Sequence, residues 1–130
     1  MKIYRAILVI LLIACITGCK EKNTYQVSGQ YMLQSETANS VYLPKLEFNE
    51  QDNTFMIDHD VLSSTMIGGT FKVKDSTVYA EAYTGEMYLF DIVDENTLVF
   101  SQKNSSKIDL KNGEIGLLIE EKAVFKKVES

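Results

Sequence analysis

The chain has 130 residues, of which 45% are hydrophobic and 24% charged, which suits one compact domain and is too little for two. One His and two Cys exclude zinc fingers, iron–sulfur clusters and any framework of more than one disulfide. The net charge of −5 argues against a nucleic-acid binder, because such proteins present a basic surface to phosphates.

The first residues have the pattern of an export signal. Lys2 and Arg5 supply positive charge, and residues 6–16 form an unbroken apolar run of eleven residues. That length fits the apolar region of a signal peptide, about 7–15 residues, and is too short to span a bilayer, which takes about 20. The pattern therefore predicts export.

The apolar run leads into Ile16-Thr17-Gly18-Cys19. This motif resembles the lipoprotein signal of bacteria, in which an aliphatic residue and two small residues precede a cysteine. The resemblance implies that a diacylglycerol is attached to the Cys19 thiol and that a dedicated peptidase cuts just before it. We therefore expect a signal peptide over residues 1–18 and a lipid anchor that holds the protein on the extracytoplasmic face of the cell membrane. An ordinary secretory signal and an uncleaved anchor are the alternatives.

Maturation at this cysteine would change both the thiols and the charge of the chain. Cys15 leaves with the signal and the lipid consumes the thiol of Cys19, so no disulfide would support the fold. The remaining 11 Lys and Arg against 18 Asp and Glu give a net charge of −7. Anionic headgroups repel such a chain, so the acyl chains must hold it at the membrane. Residues 19–28 are expected to be a short polar tether, which reaches about 30 Å when extended.

Residues 29–130 predict an all-β domain. Apolar and polar residues alternate, most clearly over Thr77–Tyr83, so that successive side chains face opposite sides of a strand. Helix is expected only at Val61–Met66 and Glu114–Glu121, and both segments are ambiguous. The other predicted strands are Gln30–Gln34, Val41–Phe48, Thr54–Ile57, Thr70–Lys74, Glu86–Val93, Thr97–Gln102, Lys107–Leu110 and Ala123–Val128.

A short pattern recurs before three of these strands. Each copy has an acid, an Asn or Ser, a Thr and then an apolar residue, and the copies begin 23 and 20 residues apart. Local side-chain bonds of Asp, Asn and Ser favour turns, and a spacing of one hairpin places all three turns at the same end. Asn112-Gly113 is a further candidate hairpin turn. The three copies are Asp52-Asn53-Thr54-Phe55, Asp75-Ser76-Thr77-Val78 and Glu95-Asn96-Thr97-Leu98.

This arrangement is typical of an up-and-down antiparallel meander. About eight short strands predict a small antiparallel barrel or a strongly curled sheet. A barrel of this size is filled by its own side chains, with room for one small ligand at most. The predicted core residues are Tyr31, Leu33, Leu46, Phe48, Phe55, Ile57, Phe71, Val73, Tyr88, Phe90, Ile92, Leu98 and Phe100.

Five short fragments of the domain carry a second resemblance. In chain order they are Leu62-Ser63-Ser64, Gly69-Thr70-Phe71, Leu98-Val99-Phe100, Ser105-Ser106 and Ala123-Val124-Phe125. The series resembles a group of small, mostly uncharacterised lipoproteins of Gram-positive bacteria with a lipocalin-like β domain. The resemblance covers about residues 29–128 and implies the fold and the exported lipoprotein class, but no activity and no catalytic residue. Before the last strand this chain has Glu121-Lys122, where that group has an acid and a glycine.

Asp58-His59-Asp60 is the cluster that looks most like a metal site. On a strand Asp58 and Asp60 share a face while His59 points away, and their hard oxygen atoms suit Ca²⁺. Because Ca²⁺ takes about six to eight oxygens, Asp52 or backbone carbonyls would have to contribute. A solvated strand end explains the same residues, and no cofactor is predicted.

Tyr79, Glu81 and Tyr83 form the second candidate site. If Val78 faces the core, these three side chains lie together on the outside of the sheet. Exposed tyrosines beside an acid suit a peptide or a cationic partner. Cross-strand packing on the outer face is the alternative interpretation.

Together these features predict a monomeric binding or interaction module at the cell envelope, with a small ligand, a peptide or a neighbouring envelope protein as partner. An immunity-type or sequestering lipoprotein that intercepts a cationic peptide is the alternative, which the charge of −7 allows. A hydrolase that uses Asp58, His59 and Asp60 is the third hypothesis. The sequence has no nucleophile elbow, no HExxH motif and no phosphate-binding glycine loop that would favour it.

Overall fold

The structure is a computed structural model, and it describes residues 25–35, 43–58, 66–110 and 118–129. Within these residues the chain forms ten strands and one short 3₁₀ helix, Gln102–Asn104. The strands are β1 (Gly29–Leu33), β2 (Lys45–Asn49), β3 (Thr54–Asp58), β4 (Met66–Lys74), β5 (Thr77–Ala82), β6 (Met87–Asp94), β7 (Thr97–Phe100), β8 (Ile108–Asp109), β9 (Leu118–Ile119) and β10 (Val124–Lys127).

Each of the nine predicted strands overlaps an observed strand, which confirms the all-β class. The largest extension is in β4, which begins at Met66, four residues before its predicted start. The prediction for β7 runs too far, because the chain enters the 3₁₀ helix at Gln102.

The two predicted helices are wrong where the structure describes them. Met66, the last residue of the helix expected at Val61–Met66, lies in β4. β9 lies within the helix expected at Glu114–Glu121. Short apolar runs carry too few periods to separate strand from helix, and pairing with a neighbouring strand decides between them. Residues 61–65 and 114–117 lie outside the described residues.

Eight of the strands form a closed antiparallel barrel, which is one of the two arrangements that the sequence predicted; the strongly curled open sheet is the other. From β1 to β7 each strand pairs with the next in an up-and-down meander, and β10 then pairs with both β7 and β1. β8 and β9 form a separate two-stranded sheet. The predicted turn Asn112-Gly113 falls between β8 and β9, outside the described residues.

Three hairpin turns lie together at one end of the barrel, which we name the turn end. They join β2 to β3, β4 to β5 and β6 to β7, at the three copies of the repeated motif. Asp75 and Ser76 both have positive φ, 52° and 63°, which is the conformation of a tight type I′ turn. In the first turn the Asp52 carboxylate accepts a hydrogen bond from the Thr54 N–H at 3.1 Å. The opposite end, which we name the loop end, carries the remaining connections between neighbouring barrel strands.

Aromatic rings fill the interior of the barrel. The ring of Phe48 makes T-shaped contacts with the rings of Tyr31, Phe71 and Phe90. The distances from its centroid to theirs are 5.9, 5.0 and 6.4 Å, respectively. Such pairs add about 0.5–1.5 kcal/mol each beyond the burial of their area. The predicted core residues are buried, except that Val73 is half-buried. Buried residues that the prediction left out include Val27, Leu43, Ile108, Leu110, Ile119 and Phe125.

Chain outside the eight strands contributes to this core at both ends of the barrel. β8 and β9 follow β7 at the loop end, and Ile108, Leu110 and Ile119 are buried in the barrel core. At the turn end Val27, which precedes β1, is buried in the same core. The folded part of the chain therefore includes Val27, which the sequence placed in the tether.

The turn before β10 is made by Glu121 and Lys122. Lys122 has a φ of 62°, in the left-handed region that glycine adopts without a steric penalty. This is the position at which the second resemblance implies a glycine. Lysine supports the same turn here, at a steric cost of about 1–2 kcal/mol.

Gly69 lets β4 and β5 approach each other closely. A Cβ at this position would lie 2.7 Å from the Cα of Ala82 and closer still to the carbonyl oxygen of Glu81, and neither backbone atom can move aside freely. We expect Gly69→Ala to lower the free energy of unfolding by about 1–3 kcal/mol, the usual cost of overpacking, as measured by urea denaturation.

Gly68→Ala is the matched control for this substitution. The nearest atom to a Cβ at Gly68 would be Cε2 of Tyr83 at 3.6 Å, an ordinary van der Waals contact with a side chain. We expect this variant to stay within about 0.5 kcal/mol of the native chain. Equal losses in the two variants would contradict the assignment of a close backbone approach to Gly69.

Candidate functional site

The predicted metal site is only partly described by the structure. Asp58 ends β3 with an exposed side chain, and its cross-strand neighbours are Lys45 and Met66. His59 and Asp60 lie outside the described residues. Among the residues that are described, no three His, Cys, Asp or Glu side chains come together as metal ligands would. The Ca²⁺ site at Asp58 and Asp60 stays a prediction.

The outer face of β5 carries Tyr79 and Glu81, two members of the predicted binding patch. Tyr79 is half-buried, with Lys72 of β4 and Leu89 of β6 as its cross-strand neighbours. Glu81 is exposed, and Met87 lies opposite it on β6. Tyr79 is therefore part of the packing of the outer face, whereas the carboxylate of Glu81 is open to solvent.

Tyr83, the third member, follows β5 at the loop end and is 76% exposed. Its N–H donates a hydrogen bond to the carbonyl oxygen of Gly68 at 2.9 Å. Its ring lies over Gly68, since Cε2 is 3.6 Å from the point where a Cβ of that glycine would be. A ring placed this way covers the space that the missing side chain leaves on the strand. Met66, 61% exposed, lies two residues before Gly68 on the same face of β4.

Glu86 lies in the turn that follows Tyr83. The Thr84 hydroxyl donates a hydrogen bond to the Glu86 carboxylate, and this bond lowers the pKa of Glu86 below its ordinary value of 4.5. The charge of Glu86 also reaches Tyr88, whose pKa is raised first by burial and second by that charge. The turn therefore holds an ionised, exposed carboxylate three residues from the ring of Tyr83.

Ser105 lies in one of the fragments of the second resemblance. Its hydroxyl makes two hydrogen bonds to the backbone. The hydroxyl oxygen accepts a hydrogen bond from the Leu89 N–H at 2.9 Å and donates one to the carbonyl oxygen of Ser101. Backbone N–H groups of Ser101 and Ser106 donate to Leu89 and Met87 at 2.9 and 2.8 Å. The segment after β7 thus continues the ladder along β6.

The turn end carries an open depression of about 470 Å³. Its lysine, Lys127, has Nζ 5.9 Å from the ring centroid of the buried Tyr31, within reach of a cation–π contact. Because one lysine and one carboxylate line the depression, it favours neither cations nor anions strongly. The lining residues are Tyr25, Gln26, Ser28, Glu95, Asn96 and Lys127.

Met66 and Glu86 are two exposed residues at the loop end that the sequence analysis did not name as site residues. Met66 was expected in a helix, and only its pairing with Asp58 places it on the outer face of β4. A signal for Glu86 was available, because Thr84-Gly85 has the spacing of a hairpin turn between two predicted strands. The position of the Glu86 carboxylate could then have been derived from the turn.

Comparison with known proteins finds no match to this chain among protein-family models, curated proteins or solved structures. In the described part of the chain, no helix is both long enough and apolar enough to cross a membrane.

Tyr31 and Tyr88 are buried tyrosines whose pKa the fold raises above the ordinary value of 10.0. For Tyr31 burial is the larger cause and the charge of Asp94 the second, opposed by a backbone hydrogen bond at Ser28. For Tyr88 burial is again first, followed by the charge of Glu86. A raised folded pKa means that the fold favours the neutral phenol. The stability that follows is complete below pH 10 and is lost as the pH rises through the folded pKa.

We therefore expect the phenolate absorbance of the native chain to include a late phase, above the ordinary range of tyrosine. Y31F and Y88F should each reduce the amplitude of that phase in a spectrophotometric titration. Y83F, which removes an exposed ring hydroxyl, should leave the late phase in place. A late phase that survives unchanged in both Y31F and Y88F would contradict the assignment.

Proposed function

We propose that this protein is an exported lipoprotein, held by acyl chains on Cys19, that acts as a binding module on the extracytoplasmic face of the membrane. The observation that carries the proposal is the agreement of three features of the N-terminal sequence. Positive charge, an apolar run of eleven residues and the Ile16-Thr17-Gly18-Cys19 motif occur in the order of a lipoprotein signal. Two or three acyl chains suffice to anchor a protein where one does not.

The position of β1 in the barrel fits an anchor at Cys19. Residues 25–28 precede β1 at the turn end, and Tyr25 is six residues after Cys19. Six residues reach about 20 Å when fully extended. In the anchored protein the turn end therefore faces the membrane, and the loop end faces away from it.

Charge at the turn end affects the distance of the barrel from the lipid and does not itself orient this end toward the membrane. Among the described residues carboxylates outnumber lysines there, and anionic headgroups repel them, so the barrel stands off the lipid at the length of its tether. One of them, Asp94, accepts a hydrogen bond from the Asn96 N–H at 2.8 Å, and this bond is the largest cause that lowers the pKa of Asp94. The carboxylates are Glu50, Asp52, Asp75, Asp94, Glu95 and Glu129, and the lysines are Lys74, Lys126 and Lys127.

The packed interior favours binding on the outer surface of the barrel. Rings of Tyr31, Phe48 and Phe90 lie buried inside it, against one another or against further rings. Exposed apolar side chains, by contrast, lie on the outside at both ends. The module therefore meets its partner through surface side chains and connections, and the loop end is the one that the anchor leaves accessible.

Replacement of Cys19 tests the anchor. In a bacterial host we expect the native chain to incorporate labelled palmitate and to stay with the membranes in high salt, because acyl chains and not charge hold it. Cys19→Ser should abolish the label. The readouts are autoradiography and mass spectrometry of the N-terminal peptide.

Cys15→Ser is the matched control, because the proposal places Cys15 in the segment that is removed. This variant should be labelled as well as the native chain. A native chain without lipid on Cys19, or a label that persists in Cys19→Ser, would contradict the proposed function.

A further inference from the structure

We propose that the loop end carries a docking site for a basic, arginine-containing peptide segment, centred on Tyr83. The surface consists of Met66, Gly68, Glu81 and Tyr83, and we name it the Tyr83 surface. This inference rests on the proposed function, since the lipid anchor is what turns this end of the barrel away from the membrane.

The Tyr83 surface has an apolar platform that no strand of the barrel covers. Tyr83 and Met66 are 76% and 61% exposed, the two largest exposures among the large hydrophobic residues that the structure describes. The Tyr83 ring lies over Gly68, and Met66 lies beyond Gly68 on the same face. The Cδ2–Cε2 edge is the part of the ring nearest to Gly68, and most of the ring is open to solvent.

The turn that presents Tyr83 is held by backbone hydrogen bonds. Tyr83 N–H donates to Gly68 at 2.9 Å, Gly85 N–H to Ala82 at 2.9 Å, and Ala82 N–H to Glu86 at 2.8 Å. Because these bonds already order the backbone of the turn, binding of a partner costs little further backbone entropy there. Aromatic residues held in this way are those that contribute most to interfaces.

A carboxylate lies on the same outer face as the ring. Glu81 precedes Tyr83 by two residues and is exposed on the outer face of β5. Glu86 lies opposite Ala82 in the turn, so its side chain is on the face of the hairpin that carries Tyr88, and it adds negative charge to the loop end from there. Within the described part of the chain neither carboxylate is paired with a cation. The nearest lysine on β4, Lys72, lies opposite Tyr79 in the adjacent cross-strand row.

An arginine side chain complements this arrangement of groups. Its planar guanidinium stacks on an aromatic face and at the same time donates several hydrogen bonds to carboxylates. A lysine would supply the charge without the planar stack. The net charge of the chain adds a long-range attraction for basic partners, which brings them to the surface faster at low salt.

Binding of a defined peptide tests the proposal. The probe is a fluorescein-labelled peptide of five Arg and five Ser residues, and matched peptides carry Lys or Glu in place of Arg. The full chain, purified from membranes in detergent, is titrated against each peptide by fluorescence anisotropy. We expect the Arg peptide to bind most tightly, the Lys peptide less tightly and the Glu peptide not at all. Affinity should fall as salt is raised from about 0.05 to 0.5 M.

Substitutions locate the site on the surface. Tyr83→Ser should weaken the Arg peptide by about tenfold, and E81Q by about threefold to tenfold. Met66→Ser gives a second test of the platform that leaves the turn intact. Val93→Ser is the matched control, because Val93 is 56% exposed and lies near the turn end of β6. It should bind like the native chain, and thermal melts of all variants establish that they are folded.

Three results would overturn the inference: no saturable binding of the Arg peptide up to about 1 mM, equal binding of the Glu peptide, or unchanged affinity in folded Tyr83→Ser and E81Q. Mass spectrometry of Cys19 in the same preparation separates this outcome from failure of the proposed function. A lipidated chain that does not bind the peptide refutes the Tyr83 surface alone. An unlipidated chain refutes the anchor, whatever the peptide does.

Discussion

β1 and β10 pair with Tyr31 opposite Lys127 and Leu33 opposite Phe125, and this ladder converts the meander into a closed barrel. Closure pairs each of the eight barrel strands on both sides, so none of these strands keeps a free edge for another chain to join. It also encloses the aromatic core, in which Phe48 packs against rings from several strands. β1 begins and β10 ends at the turn end. The first and the last barrel strand therefore lead out of the barrel on the same side.

The two ends of the barrel differ in their structure. Among the described residues the turn end has tight hairpins, more carboxylates than lysines and the segment that precedes β1, which is the segment that leads to the proposed anchor. The loop end has the longer connections and the exposed side chains of Tyr83 and Met66. Under the proposed anchor at Cys19, the loop end and the sides of the barrel would be the surfaces that can meet a partner.

The sequence predicted the parts of this structure that local chemistry determines. Period-2 alternation placed Glu81 outside and Phe90 inside, and the repeated acid-Asn/Ser-Thr motif placed three turns at one end. It did not predict β9, because Leu118 and Ile119 are too short a run to show a period, and their pairing with β8 decides their conformation. The same limit applies to the candidate site.

Within the site, Glu81 and Tyr83 were predicted from alternation, but the contact of Tyr83 with Gly68 was not. That contact depends on the register between β4 and β5, which places Tyr83 beside a glycine rather than beside Met66 or Thr70. Glu86 was not named as a site residue, although the spacing of Thr84-Gly85 between two predicted strands already indicated its turn. Cross-strand register, by contrast, is set by the closed barrel as a whole, and no single segment contains it.

The orientation of the anchored barrel is the measurement that tests this account most directly. Single cysteines at Glu95, at the turn end, and at Glu120, at the loop end, would carry a fluorophore in the lipidated chain on vesicles that contain nitroxide-labelled lipid. The two ends are about 20 Å apart, the length of a six-residue strand. We predict stronger quenching at Glu95 than at Glu120. Equal quenching, or stronger quenching at Glu120, would contradict the assignment of the loop end as the face that meets the partner.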